Sequence, residues 1–217
     1  MSEYPVLFSG SMVRAISQGK KTQDRRPIKG IGQPAEIFIV AADGSGDLKF
    51  LSRNGVSMSK WIKPPWQKGD FLYCRETFFC ASGEPGEPII HYRADASEEI
   101  LDTAEFSGLW KPSIHMPKWA ARIWLEVVSV RPERVSAISE EDAKAEGARF
   151  IDFGKDRWGN QLPGWRCDRD PVNSSDALGS ARFAFANLWQ SLYGSKYPWE
   201  TAWSWRTEFM MVEGPRR

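Results

Sequence analysis

Along this chain the spacing of apolar positions changes several times, and each change marks an element. Met12, Ala15 and Ile16 recur at i, i+3 and i+4, which predicts a short helix over 11–18, with Ser11 able to cap its start and Gly19 its end. An extended stretch over 4–8 precedes it. From 121 to 130 the period drops to two: Ile123, Leu125 and Val127 alternate with Trp124, Glu126 and Val128, the signature of a strand, fenced upstream by Pro112 and Pro117. Ser139-Glu140-Glu141-Asp142 places a capping residue three before an acid, and Gly147 closes a two-turn helix ending near Glu146. Ala184, Phe185, Leu188, Trp189 and Leu192 fall on one face of a helix that starts at Ala181 and stops at Gly194. Residues 202–212 alternate as a final strand. Further strands are expected over 37–40, over 71–76 after a Lys68-Gly69-Asp70 turn, and over 89–93 beyond a Gly/Pro loop.

Several strands interleaved with a few short helices, and no βαβ unit with an adequate helix, predict an α+β, mainly β architecture. The expected form is a small, strongly curved β-barrel with short flanking helices. A length of 217 residues suits one elaborated domain, 1–217, with loop-rich insertions at about 30–65 and 148–176.

Charge narrows the partners. The formal net charge is +1, so no global field draws in nucleic acid, and any RNA contact has to be a local basic patch. Three cysteines, Cys74, Cys80 and Cys167, form no CxxC, and only His91 and His115 supply imidazoles, so neither a metal nor a disulfide framework is expected. No cofactor is called for. No signal segment and no apolar run of membrane-spanning length is seen, which predicts a cytoplasmic protein without membrane contact. The oligomeric state is not legible.

The densest chemistry is Gly19-Lys20-Lys21-Thr22-Gln23-Asp24-Arg25-Arg26, four cations with a carboxylate and a hydroxyl, leaving the first helix. A buried lysine can give up its proton and act as a base, whereas arginine stays charged and forks onto carboxylate or phosphate. A solvated basic turn is the plainer alternative. The eleven tryptophans offer faces on which bases stack, or core filling. Trp124, Trp189, Trp203 and Trp205 sit in strand and helix patterns that suit the core, and Trp158 and Trp165, in the polar second insertion, suit a ligand-covering lid.

The order of these pieces resembles the ASCH-domain family, a branch of the PUA-like β-barrels, and in particular its longer phage- and prophage-type members. The resemblance is carried by Val6-Leu7-Phe8-Ser9 leading into Met12-Val13-Arg14-Ala15-Ile16, by Gly19-Lys20-Lys21-Thr22 with Arg25-Arg26, and by Gly69-Asp70 with Arg75-Glu76. Pro112–Pro117, Ile138-Ser139-Glu140-Glu141-Asp142-Ala143 with Glu146-Gly147, and the terminal aromatic strand complete it. It implies a barrel whose cleft accepts a nucleobase, a nucleoside or an RNA segment. In the family's small N4-acetylcytidine amidohydrolases a lysine, a threonine and a glutamate hydrolyse an amide. Their lysine falls on Lys21 and their glutamate on Glu146, but the threonine position holds Asp24.

A threonine activated by lysine attacks a carbonyl and forms an ester, which aspartate cannot do. Asp24 can instead orient or activate water, or pair with Lys21 or Arg26 and hold the lysine charged. Thr22 is a poor substitute, because in an extended segment it points away from Lys21.

The expected function is therefore a hydrolase of a modified nucleobase or nucleoside, such as an N4-acylated cytosine, with Lys21, Asp24 and Glu146 as catalytic residues. The alternatives are a non-catalytic reader of RNA or modified bases, and a ribonuclease. Arg25 and Arg26 can grip phosphate or a base edge, or one of them can be a buried ion-pair partner. Of Arg75 and Glu76, one is expected to face the interior, with Glu76 the structural partner of a basic-segment arginine. His115 is either a structural residue or a proton shuttle.

Overall fold

The computed structural model describes residues 1–31, 37–42, 47–52, 59–81, 89–96, 110–168 and 173–214. The Gly/Pro loop expected before residue 89 lies outside them. The architecture is mixed α+β and mostly β. Its centre is a five-stranded sheet in the order β1 (Glu3–Leu7), β5 (Phe71–Arg75), β8 (Trp124–Arg134), β11 (Trp203–Val212) and β2 (Gln23–Pro27). Only β1 and β5 run parallel in it. Two short hairpins, β3 (Ile37–Ala42) with β4 (Leu48–Ser52) and β6 (Phe78–Ala81) with β7 (Ile89–Tyr92), flank the sheet. A small pair, β9 (Arg149–Phe150) with β10 (Trp165–Arg166), lies in the second insertion. The sheet is not a closed barrel among the described residues: β1 and β2 are its two edges. No helix described is long and apolar enough to cross a membrane.

The period-two pattern of β8 does what it predicts. Leu125 and Val127 are fully buried under α1 (Gly10–Ser17) with Val6, Val13, Ile16 and Leu72, whereas Val128 is 40% exposed. Each such apolar side chain, withdrawn from water, contributes about 1.5–3 kcal/mol. The cap of α1 is Ser9, whose hydroxyl accepts from the Met12 amide, two residues earlier than the expected Ser11. Gly69, at φ +84°, makes the turn into β5. The Asp70 carboxylate then accepts from the amides of Gln67 and Ser2, both at 2.8 Å, and so ties the start of β1 to β5.

Helix α2 (Glu140–Ala145) is capped by Ser139, which accepts from the Asp142 amide at 3.0 Å, as the sequence predicts. Helix α3 (Ala181–Tyr193) packs on it through Ala181, Ala184, Phe185 and Trp189. Leu192, expected on that face, is 55% exposed, and Tyr193 packs on the core in its place, its ring centroid 4.9 Å from that of Trp189. Trp165 and Cys167 of the second insertion belong to this core, and Leu48 and Phe50 of the first insertion join Ile28 and Trp205 in another. Replacing Ser139 by alanine should remove about 1 kcal/mol of stability, read as a Tm lower by about 2–4 °C.

Candidate functional site

Where the chain leaves α1, Gly19 takes φ +69° and the amides of Lys20 and Lys21 both donate to the Ala15 carbonyl, at 2.8 and 3.0 Å. This turn points Lys21 inward, where it is 2% exposed, and leaves Thr22 outside. Strand β2 follows, antiparallel to β11, with Asp24 opposite Thr207, Arg25 opposite Arg206 and Arg26 opposite Trp205. Alternation along β2 separates two faces. Gln23 and Arg25 point one way, Asp24 and Arg26 the other.

On the first face lie Arg25 and Arg206, two cross-strand guanidiniums that would repel without compensation. Helix α2 supplies it, because Asp142 and Glu146 are four residues apart and share one side. Arg25 donates to Glu146 Oε1 at 2.8 Å, to Gln23 Oε1 at 3.0 Å, to Asp142 Oδ2 at 3.2 Å and to Glu133 Oε1 at 3.3 Å. Arg206 donates to Asp142 Oδ1 at 2.8 Å and to Gln23 Oε1 at 3.0 Å, and it pairs with Glu208 at 2.7 Å.

Between the faces stands Lys21. Its ammonium donates to the Gln23 carbonyl at 2.7 Å, the Glu146 carbonyl at 2.9 Å and Glu146 Oε2 at 3.0 Å, with Asp24 Oδ1 at 3.6 Å. Three N–H donors meet three acceptors, so the group is saturated. Burial pulls the Lys21 pKa down, but Glu146 and then Asp24 outweigh it, and the net shift is upward. Gly147, at φ +101°, lies where an added Cβ would stand 3.5 Å from Lys21 Cβ, so the helix exit packs directly on this side chain.

On the second face Arg26 Nε donates to Asp24 Oδ2 at 2.7 Å and its Nη2 to the Leu7 carbonyl at 3.2 Å. The guanidinium lies 5.9 Å from the Phe8 ring centroid and 6.0 Å from that of Trp66. Burial alone would raise the Asp24 pKa, but Arg26 and Lys21 hold it below the usual carboxylate value. The Arg26 side chain is 35% exposed, so the Asp24–Arg26 pair forms the mouth of the cluster and Lys21 with Glu146 its floor. Tyr193 faces the same groups: burial first, then Asp24, raises its phenol pKa, with Arg26 opposing. Burial likewise pushes the Cys167 thiol up to about 12, with Lys21 opposing and Glu146 adding, which keeps it a neutral wall.

Five cations, Lys21, Arg25, Arg26, Arg131 and Arg206, thus meet five carboxylates, Asp24, Glu133, Asp142, Glu146 and Glu208. Apart from the exposed Lys20, the cationic run is therefore neither a solvated turn nor an unpaired anion site. Of the two readings of its arginines, Arg25 is the buried ion-pair partner.

The other expected site residues lie elsewhere. Glu76 is 1% exposed, but its partner is Arg122, at 2.8 and 2.9 Å, rather than an arginine of the basic segment. Arg122 leads into β8, which pairs with β5, and this brings its guanidinium beside Glu76. Arg75 donates to the Ile114 carbonyl at 3.2 Å and props the exposed turn Ser113–His115, which carries His115. Trp165 packs into the α2/α3 core, with Lys144 5.5 Å from its ring, so it anchors the insertion rather than covering the cluster. Trp158 is 72% exposed with Arg157 against its face at 4.0 Å. Among the described residues neither tryptophan bonds to the Lys21 cluster.

Sequence reasoning missed Asp142, Glu133, Arg206 and Tyr193. Asp142 was findable, four residues before Glu146 on one helix. Arg206 and Glu208 carried a signal too, as charges between the apolar positions of the last strand. Comparison with models of known protein families, with curated proteins and with solved structures gives no match for this chain.

Proposed function

We propose that this chain is an ASCH-type, PUA-like domain that binds a nucleobase-bearing ligand at the Asp24–Arg26 mouth without hydrolysing it. One observation carries the reading: all three ammonium protons of Lys21 are committed to fixed acceptors, so the group that would serve as base is held charged. A cation in that state orders its neighbours and leaves a carboxylate at the mouth to recognise a ligand. The Asp24 carboxylate suits the exocyclic amino group of a base, and the exposed side of Arg26 suits the adjacent ring nitrogen or carbonyl. Cytosine presents that donor–acceptor order on its Watson–Crick edge. The hydrogen bond from Arg26 on β2 to the Leu7 carbonyl on β1 supports the PUA-like form, because it links the two edges of the sheet as a strongly curved barrel would.

Isothermal titration should detect cytidine binding in preference to uridine, and Asp24→Asn should erase the preference, since an amide can turn a donor towards either base. Incubation with N4-acetylcytidine should release no cytidine. Equal binding of both nucleosides, or none of either, overturns the reading.

The amidohydrolase reading keeps one supporting observation: Lys21 and Glu146, 125 residues apart, meet at 3.0 Å with Asp24 beside them, the three positions that the resemblance singled out. In that scheme Lys21 is a fixed cation facing the developing oxyanion, Asp24 activates water and Glu146 assists the leaving amine. Cytidine released by the wild type and lost in Lys21→Ala would establish it.

A further inference from the structure

Beside the mouth, the charge balance changes sign. Lys60-Trp61-Ile62-Lys63-Pro64-Pro65-Trp66-Gln67-Lys68 holds three lysines and two tryptophans and no acid, in a chain whose net charge is only +1. The structure folds this segment against the end of β2 and leaves a cleft of about 340 Å³ between them, lined by Arg26, Lys29 and Lys63 over Ile62, Trp66 and Trp205. That volume falls in the range of about 300–1,000 Å³ that small-ligand sites occupy. Lining residues include three cations and no carboxylate, in contrast to the five-against-five balance behind Asp24. Lys29 and Lys63 are exposed and enter no ion pair among the described residues.

The floor of the cleft is closely packed. Trp66 is 7% exposed and its indole N–H donates to Thr207 Oγ1 at 3.0 Å, and Trp205 is 6% exposed on β11. Trp61, directly before the cleft residue Ile62, has the opposite character: it is 47% exposed, with Lys49 Nζ 5.7 Å from its ring. Uncompensated cations in a cleft suit the phosphates of a single-stranded nucleic acid, and Trp61, one residue outside the cleft lining, offers an exposed ring on which a base can stack. Arg26 joins the two places, bonding Asp24 on its inner side and lining the cleft on its outer side.

We infer that the ligand is a single-stranded nucleic acid rather than a free nucleoside, with one base at the Asp24–Arg26 mouth and neighbouring phosphates held by Lys29 and Lys63 in the adjoining cleft. This rests on the nucleobase reading of the mouth. It adds a site built in part by Ile62, Lys63 and Pro65, which fall outside the pieces shared with the ASCH pattern.

The test is fluorescence anisotropy with a labelled ten-nucleotide oligocytidylate over a range of salt concentrations, beside calorimetry with cytidine, for the wild type, the Lys29→Ala/Lys63→Ala double variant and Asp24→Asn. The wild type should bind the strand at least about ten-fold tighter than cytidine. The double variant should lose about ten-fold or more for the strand and keep its affinity for cytidine. Its slope of log K against log salt should become shallower by about 1.4, which is 0.7 for each phosphate contact removed. Strand affinity and slope unchanged in the double variant overturn the inference. So does a wild type that binds cytidine and no strand, which leaves the nucleobase reading standing. Strand binding that needs both lysines but is unchanged by Asp24→Asn, with no binding of cytidine, sustains the cleft and removes the nucleobase reading. Binding of neither ligand removes both.

Discussion

Glu146→Ala should destabilise the fold by about 3–5 kcal/mol, the range for removing one partner of a buried ion pair. The carboxylate is shared: Oε2 accepts from Lys21 and Oε1 from Arg25, side chains exposed by 1% and 0%. Without Glu146 both cations stay buried. Lys21 keeps two backbone carbonyls and a distant Asp24, and Arg25 keeps the longer contacts to Asp142 and Glu133. Water cannot easily replace what is lost, because Gly147, Ala15 and Cys167 close over the site. Urea unfolding at neutral pH measures this, with an unchanged m-value as the sign that both states keep their compactness. Glu76→Ala is the comparison. Its partner Arg122 has a side chain 29% exposed and a second carboxylate in Asp95, so it can rehydrate and the loss should be smaller. A Glu146→Ala loss no larger than that of Glu76→Ala would mean that the Lys21 pocket is wet, and would undo the claim that its charges are locked.

The elements were legible because each carries a local signal. The alternation of Leu125 and Val127, the Ser139 cap with Gly147 behind it, and the four-residue spacing of Ala181, Phe185 and Trp189 are all set by neighbours in sequence. The convergence of Lys21, Asp24 and Glu146 was visible only through resemblance, since nothing local in residues 19–26 says that a helix more than a hundred residues later will supply the counter-charge. The state of Lys21 was not legible for the same reason: it is decided by Gln23 and Glu146 acceptors that only the fold assembles. Arg25 and Arg26 could not be told apart from their identities, because a one-residue step along a strand sends one to a saturated interior and the other to the mouth. Glu76 was correctly read as an interior charge and given the wrong partner, since sequence reveals that a buried carboxylate needs a cation and not which strand brings it.

Stability carried by the Lys21–Asp24 pair should be level between about pH 4 and pH 10 and should fall at both ends, for opposite reasons. Asp24 in the unfolded chain titrates near the usual value of about 3.9. Folding lowers that value, because Arg26 and Lys21 outweigh its burial, so its contribution is complete above about pH 4 and is lost as the pH falls through the folded pKa. Lys21 behaves in reverse. Its unfolded value is about 10.4 and folding raises it, so its contribution is complete below about pH 10 and is lost as the pH rises through the folded pKa. Each pKa unit between the two states is worth about 1.4 kcal/mol. Urea unfolding of the wild type and Lys21→Met from pH 2 to 12 isolates the effect, since the other tyrosines and lysines titrate in both proteins and cancel. The stability difference between them should shrink above about pH 10 as the wild-type lysine gives up its proton. The acid limb should also be shallower in the variant, because Asp24 then has Arg26 alone holding its carboxyl down. Parallel curves on the alkaline side would show that folding does not tighten the hold of Lys21 on its proton. A wild type that instead gains stability on the variant as the pH rises towards 10 would show a lysine pKa lowered by folding, with a neutral amine within reach, and the case for a catalytic lysine would replace the case for a fixed cation.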